Sequence, residues 1–235
     1  MNREQQLLQN WQEVQQALCA ACQKAGRVPQ EVTLLAVTKY AQDADVLTLL
    51  KKGLLTHIGE SRVQQAIIRW SKPEFAAFAT VKHLIGHLQH NKAAKAAQFF
   101  DFIDSLDDFS TAELLDKHVP AGKTLRVLVQ VKLTARETQS GLPLEEARQL
   151  VKRLQTLPNL RVCGYMAIAP QGAPQSELHR LFSRVRQAFE ADFMPGTERY
   201  LSLGMSEDFT IAVEEGSSLP RIGSKLFTDD SQEVV

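Results

Sequence analysis

Near its start the chain carries the run Thr33-Leu34-Leu35-Ala36-Val37-Thr38-Lys39, in which β-branched and aliphatic residues end abruptly at a lysine. An apolar run without polar alternation is typical of a strand that is covered on both faces, as in parallel α/β sheets. Lys39 therefore falls at the carboxyl end of the first predicted strand, where barrels and open parallel sheets place their active-site loops. Partial burial there would favour a neutral amine, the form that condenses with an aldehyde, whereas a solvated lysine would only cap the strand.

Strand and helix patterns alternate along the rest of the chain. A leading helix is predicted at residues 3–25, and Pro73 is expected to end the helix that follows the second strand. The predicted strands fall at residues 33–39, 56–59, 80–85, 99–103, 125–131, 161–167, 200–202 and 219–222. Eight such units without an internal linker predict one domain over residues 1–235, an α/β fold built as a single (β/α)8 TIM-type barrel with an extra N-terminal helix. An open doubly wound sheet is the second possibility, but no Gly-x-Gly-x-x-Gly follows the first strand.

The composition gives no sign of a nucleic-acid or membrane partner. Basic and acidic residues number 27 each, so no net field would attract an anionic polymer or surface. No apolar run approaches the ~20 residues that span a bilayer, and the first residues lead into an amphipathic helix rather than a signal peptide. Three cysteines argue against a disulfide framework, and Cys19 and Cys22 lie within a helical pattern. We therefore expect a cytoplasmic protein in which this pair serves helix packing.

Residues of unusual chemistry follow several of the predicted strands. Ser61, Gly86 and Lys132 follow the second, third and fifth strands. Two loops, after the seventh and eighth strands, matter most: they are Ser202-Leu203-Gly204-Met205-Ser206 and Arg221-Ile222-Gly223-Ser224. In barrels these two loops commonly form a phosphate site from glycine-exposed amides, small hydroxyls and a helix start. Ser206 alone would serve equally well as a helix N-cap, so the prediction depends on the pairing of the two loops.

Three histidines, His83, His87 and His90, lie within eight residues and raise the question of a metal site. Gly86 interrupts this stretch between a strand and a helix start, so the three rings need not share a face. No nearby carboxylate or cysteine offers a fourth ligand. We therefore predict no metal, and the absence of a Gly-x-Ser-x-Gly elbow disfavours a nucleophilic triad.

A lysine after the first strand and a phosphate site after the last two strands together meet the needs of pyridoxal 5'-phosphate (PLP). The aldehyde of this cofactor reaches a lysine as a Schiff base, while its phosphate anchors the opposite side of the ring. A Schiff-base aldolase acting on a phosphosugar is a weaker alternative.

Several longer stretches carry a resemblance that covers nearly the whole chain. They are Leu35 to Lys39, Ile58 to Gln64, His83 to Lys92, Gly164 to Ile168, Leu201 to Asp208 and Arg221 to Phe227. In these stretches the chain resembles the pyridoxal phosphate homeostasis proteins (YggS/PROSC type), whose barrel is similar to the N-terminal domain of bacterial alanine racemases. The resemblance implies an α/β barrel that binds PLP.

The resemblance also implies roles for individual residues. Lys39 would hold PLP as an internal aldimine, and Arg221 would approach the pyridine nitrogen. The remaining assigned residues contact the phosphate (Ser206, Gly223, Ser224) or line the ring (Ser61, Gly86, Met205). The chain departs from the family in three places: asparagine usually stands at Ser61, a threonine-lysine pair at Tyr40-Ala41, and a lysine near Gln139.

Two functions follow from the resemblance. The first is a non-catalytic PLP carrier that takes part in cofactor homeostasis and supplies PLP-dependent apoenzymes. A permanently charged arginine at the pyridine nitrogen keeps that nitrogen unprotonated, which favours storage over turnover. The second is a PLP-dependent amino-acid racemase, but alanine racemases take a tyrosine base from a second, all-β domain that is not expected here. We expect a monomer, because no apolar excess indicates an obligate interface.

Overall fold

A computed structural model describes residues 2–134 and 140–228, in which eight strands alternate with helices. The strands are β1 (Leu35–Val37), β2 (His57–Glu60), β3 (Val81–Leu84), β4 (Phe102–Leu106), β5 (Leu125–Val131), β6 (Leu160–Ala167), β7 (Tyr200–Ser202) and β8 (Arg221–Ile222). The helices are α1 (Arg3–Lys24), α2 (Asp43–Lys51), α3 (Val63–Trp70), α4 (Pro73–Ala76), α5 (Ala93–Phe99), α6 (Phe109–His118), α7 (Leu144–Leu154), α8 (Gln175–Asp192), α9 (Phe209–Glu214) and α10 (Ser224–Phe227). Short 3-10 turns occupy Pro29–Glu31 and His90–Lys92.

The strands form one parallel sheet in the order β7-β6-β5-β4-β3-β2-β1-β8. This sheet curls into a nearly closed barrel, which confirms the TIM-type fold. Within the described residues no ladder joins β7 to β8. Hydrogen bonds instead join each strand to a residue that flanks the other, from Arg221 N in β8 to Gly204 O after β7 (3.0 Å) and from Leu219 N before β8 to Leu201 O in β7 (3.2 Å). We call this junction the β7–β8 seam, and the two loops of the predicted phosphate site lie at its carboxyl end.

The leading helix α1 packs against the end of the barrel wall formed by α2, α9 and α10. Its buried face includes Leu7, Val14 and Leu18, and a capping box at Asn2 fixes its first turn. The Asn10 amide donates to the carbonyl of Leu226 at 3.2 Å, so α1 holds α10 in place. The predicted extra helix is therefore confirmed. Cys22 of this helix is buried and Cys19 is exposed, both as free thiols.

A bulge in β6 interrupts its ladder with β5. Val162 pairs with Val127, but Gly164 pairs with Leu128, so Cys163 is an extra residue in the ladder. Gly164 has φ +148°, and a Cβ at this position would overlap the carbonyl oxygen of Tyr200 on β7. Only glycine allows β6 and β7 to approach so closely here.

The fourth strand differs most from its predicted position. Residues 99–103 were expected, but Phe99 ends α5 and the strand runs over Phe102–Leu106. The polar residues Asp104 and Ser105 would suggest that the strand had already ended. Both are instead buried inside the barrel, where Asp104 contacts His83 and Ser105 donates to the carbonyl of Gly86 at 2.6 Å.

Other boundaries differ by smaller amounts. β1 and β8 are shorter than the predicted 33–39 and 219–222. The helix after β2 already ends at Trp70, and Pro73 opens α4 instead of closing α3, since proline is well tolerated in a first helical turn. Among the described helices, none combines the length and apolar character needed to cross a bilayer.

Candidate functional site

Two adjoining cavities lie at the carboxyl ends of the strands, with volumes of about 1130 and 390 Å³. Lys39, Ile85 and Ile168 line both cavities. The structure brings all eight predicted site residues to these walls. The larger cavity is bordered by Lys39, Met205, Ser206, Arg221, Gly223 and Ser224, and the smaller by Lys39, Ser61 and Gly86.

Lys39 lies in a tight turn directly after β1. The amide of Ala41 donates to the carbonyl of Thr38 at 3.0 Å, which closes the turn around Lys39 and Tyr40. Both side chains are exposed, Tyr40 to 84%, and the Lys39 Nζ lies 5.0 Å from the Tyr40 ring centroid. The partial burial considered for Lys39 is therefore not found, because the turn carries Lys39 beyond the end of the strand to the lining of the open cavity.

Ser206 links the loops after β7 and β8. Its Oγ accepts from the amides of Gly223 and Lys225, both at 3.4 Å. Ser206 is not the N-cap of α9, since Asp208 occupies that position and accepts from the amide of Met205 at 2.6 Å. Burial raises the pKa of Asp208, and the Met205 bond opposes that shift. Ser206 thus places a hydroxyl beside a pair of backbone amides, the type of donor set that binds a phosphate.

Gly86 and Ser61 meet at the floor of the smaller cavity. A Cβ on Gly86 would overlap the backbone of Ser61, so only glycine lets the loop after β3 approach the loop after β2 this closely. The hydroxyl of Ser105 fixes the Gly86 carbonyl from below. Asp107 lies near this floor and accepts from the amide of Gly141 at 3.2 Å, and burial raises its pKa.

Arg221 is a buried cation at the base of the larger cavity, with 3% of its surface exposed. One guanidinium nitrogen donates to the carbonyl and hydroxyl of Ser202 at 2.7 and 2.8 Å, and the other to the carbonyl of Ala167 at 2.8 Å. Burial lowers the pKa of Arg221 to about 10, and the carboxylates of Asp104 and Asp208 oppose that shift. Arg221 remains charged at neutral pH, so it can only donate hydrogen bonds to a ligand.

Asp104 ends a buried chain of hydrogen bonds that crosses the barrel interior. Its carboxylate contacts His83 Nδ1 at 3.0 Å, and His83 Nε2 contacts His57 Nδ1 at 3.0 Å. Asp104 and His83 are fully buried, and His83 stacks on Phe102. His83 is thus part of the core, whereas His90 lies on the surface near Asp108. No cluster of three or more potential metal ligands occurs in the described ranges.

His57 should make folding stability depend on pH. Burial, reinforced by the neighbouring His83, lowers its pKa from 6.5 to about 4, while Asp104 and Asp101 oppose the shift and Arg126 adds to it. Between about pH 6.5 and 4, the imidazole of His57 is therefore protonated in the unfolded chain and neutral in the folded chain. The contribution of neutral His57 to the free energy of unfolding is complete above pH 6.5 and is lost as the pH falls toward 4. Urea unfolding of wild type and His57→Gln across this range should show a flatter profile for the variant, and parallel profiles would contradict the assignment.

Several residues of the site were not predicted from the sequence. Arg3 of the leading helix, Asp45 and the Pro170-Gln171-Gly172 loop line the larger cavity, and Gln130 lines the smaller one. The Pro-Gly pattern after β6 was an available signal for this loop. Gln139, one of the departures noted from the sequence, lies outside the described residues.

Comparisons with known proteins place the chain in a family. The family model described as "Alanine racemase, N-terminal domain" matches residues 4–231. The pyridoxal phosphate homeostasis protein of Escherichia coli (strain K12) is 35% identical over 226 residues, which cover 93% of this chain and 94% of the relative. The protein of that name from Pseudomonas aeruginosa is 36% identical over 208 residues, 88% of each chain.

A solved structure supports the same placement. PipY of Synechococcus elongatus, solved with PLP bound, superposes with a TM-score of 0.77 at 32% identity and covers 91% of this chain and 99% of its own. Sequence and fold therefore agree over nearly the full length of both proteins. The chain belongs to the pyridoxal phosphate homeostasis protein family, which shares the alanine racemase N-terminal domain.

Proposed function

We propose that the protein binds PLP in the larger cavity and holds it on Lys39 as a carrier, without catalytic turnover. The observation that carries this proposal is the pairing, across one cavity, of Lys39 with the hydroxyls and amides around Ser206 and Gly223. The family relatives named for pyridoxal phosphate homeostasis and the PLP-bound PipY structure support the choice of ligand. We further infer that PLP-dependent apoenzymes receive the cofactor from a monomeric, cytoplasmic carrier.

The residues of the site fit the chemical groups of PLP. The amine of Lys39 would condense with the aldehyde, forming a C=N bond and releasing water. Ser206, Gly223 and Ser224 would hold the phosphate through hydroxyl and amide donors. Ser61, Gly86 and Met205 would border the ring. When bound, PLP supplies an electron sink for reactions at amino-acid carbons.

Arg221 accounts for the absence of turnover in this proposal. Its guanidinium stays protonated, so beside the pyridine nitrogen it can donate a hydrogen bond but cannot transfer a proton. The nitrogen would then stay neutral, and the ring would withdraw electrons less strongly. Three carbonyl or hydroxyl acceptors fix Arg221 from below, which keeps it in place as a donor.

An amino-acid racemase is the second candidate, because the chain matches the N-terminal domain of alanine racemase. A racemase needs one proton-transfer group on each face of the cofactor. Incubating the PLP-loaded protein with L-alanine and assaying for D-alanine separates the two functions. Steady formation of D-alanine would refute the carrier proposal and favour the racemase.

Lys39 can be tested directly as the attachment site. The protein is incubated with PLP, reduced with borohydride, which converts a C=N bond to a stable amine, and mapped by peptide mass. We expect visible absorption from the bound cofactor and one adduct on Lys39, both lost in Lys39→Ala. Lys132→Ala is the matched control, because Lys132 also follows a strand but is absent from the lining of both cavities. An adduct that persists in Lys39→Ala would refute the proposal.

A further inference from the structure

The turn that carries Lys39 is held from below by Arg69 of α3. One guanidinium nitrogen of Arg69 donates to the carbonyl of Thr38 at 2.6 Å, and the other donates to the carbonyl of Ala41 at 2.8 Å. These two carbonyls flank Lys39 and Tyr40 on either side. The planar guanidinium therefore spans both ends of the turn with two charge-assisted hydrogen bonds.

Glu60 holds Arg69 in the orientation that these contacts require. Its Oε1 atom accepts from Arg69 at 3.2 Å, from the indole of Trp70 at 3.1 Å and from the hydroxyl of Thr38 at 2.7 Å. Only 4% of the Glu60 surface is exposed. Breaking such a buried pair leaves one charge uncompensated, so separating Arg69 from Glu60 is costly. Glu60 thereby connects the end of β2 to the turn after β1.

Asp43 contacts the outer edge of the same guanidinium. Its carboxylate lies 2.9 Å from the Arg69 Nε and 2.5 Å from the Nζ of Lys72. Asp43 is more exposed than Glu60, with 35% of its side chain accessible, and does not touch the turn carbonyls. The four acceptors around Arg69 thus form three separable sets: one inner carboxylate, one outer carboxylate and the two carbonyls around Lys39.

We propose that Arg69 is the positioning residue of the Lys39 turn. The Lys39 side chain is exposed, so its amine reaches a fixed place in the cavity only if the backbone beneath it is fixed. Arg69 supplies that constraint from outside the cavities, without being part of their lining. The inference rests on the proposed function for its consequence, which is efficient capture of PLP by Lys39. The constraint itself acts in the free protein.

Arg69→Met tests the proposal by two readouts. The first is the rate at which PLP forms a borohydride-fixed adduct on Lys39, which we expect to fall about tenfold, because the turn loses both of its charge-assisted hydrogen bonds to Arg69. The second is deuterium exchange of the Ala41 amide in the protein without PLP, which we expect to become faster than in wild type. For Arg69→Lys, both the rate of adduct formation and the rate of exchange should lie between those of wild type and Arg69→Met, because a single ammonium replaces the bidentate guanidinium donor.

Asp43→Asn is the matched control. It removes an ion pair from Arg69 and keeps both carbonyl contacts, so adduct formation and exchange should stay within about twofold of wild type. A folded Arg69→Met protein with wild-type exchange and wild-type adduct formation would overturn the inference. If that variant does not fold, Arg69→Lys decides by the same two readouts. If wild type forms no adduct on Lys39, the proposed function fails, and the exchange of Ala41 alone decides whether Arg69 constrains the turn.

Discussion

Replacing Arg221 with glutamate should lower the free energy of unfolding by about 3–5 kcal/mol, because the variant exchanges a compensated buried cation for an uncompensated buried anion. The arginine is 3% exposed and interacts electrostatically with Asp104 and Asp208. A carboxylate at this position would meet the carbonyls of Ser202 and Ala167, which are acceptors like itself. Urea unfolding of the free protein measures the effect.

A double-mutant cycle shows whether Asp104 is the compensating charge. Arg221→Gln and Asp104→Asn are each expected to destabilise the protein, and the double variant should be more stable than the sum of the two losses predicts. Additive losses would show that the two groups do not interact. A loss below about 1 kcal/mol for Arg221→Glu would contradict the buried position of this residue.

Gly164→Ala should also cost about 3–5 kcal/mol, and for a steric reason. The added Cβ would overlap the carbonyl oxygen of Tyr200, and φ at this position is +148°. Relief requires β6 and β7 to separate at the bulge. The carbonyl of Ala167, three residues further along β6, would then shift away from Arg221. Urea unfolding measures the loss of stability.

Gly172→Ala separates the two causes of that loss. Gly172 also has a positive φ, +71°, but a Cβ there meets no atom within 4 Å. Its replacement should lower the free energy of unfolding by only about 1 kcal/mol, because only the positive φ is unfavourable for alanine there. Equal losses at the two glycines would show that the close approach of β6 and β7 contributes nothing.

The fold could be predicted wherever burial and hydrophobic pattern coincide. The strands at 125–131 and 200–202 occur with the predicted boundaries, because all of their apolar residues except the half-buried Tyr200 are buried. The fourth strand was misplaced, since Asp104 and Ser105 look like loop residues until their partners inside the barrel are known. A local pattern cannot reveal a polar side chain that is satisfied by a distant one.

The same limit applies to the site. Glycine and small hydroxyls at strand ends have a local signature, so Gly86, Ser206 and Gly223 could be predicted from the sequence. Arg69 has no such signature, because its role depends on carbonyls 28 and 31 positions away along the chain. The exposure of Lys39 could not be predicted either, because it follows from the direction of a turn that the sequence does not specify.

The β7–β8 seam links ligand binding to the stability of the barrel. Other neighbouring strands share a ladder, whereas serine hydroxyls help to connect the two sides of this seam. The Ser217 hydroxyl donates to the carbonyl of Leu203 at 2.7 Å, and the Ser202 hydroxyl donates to the carbonyl of Leu219 at 2.9 Å. A phosphate held between the loops of Ser206 and Gly223 would add hydrogen bonds across the one junction of neighbouring strands that has no ladder among the described residues. A ligand that binds only the folded state adds its binding free energy to the free energy of unfolding. A protein with a phosphate bound between these loops would therefore resist unfolding more strongly than the empty protein.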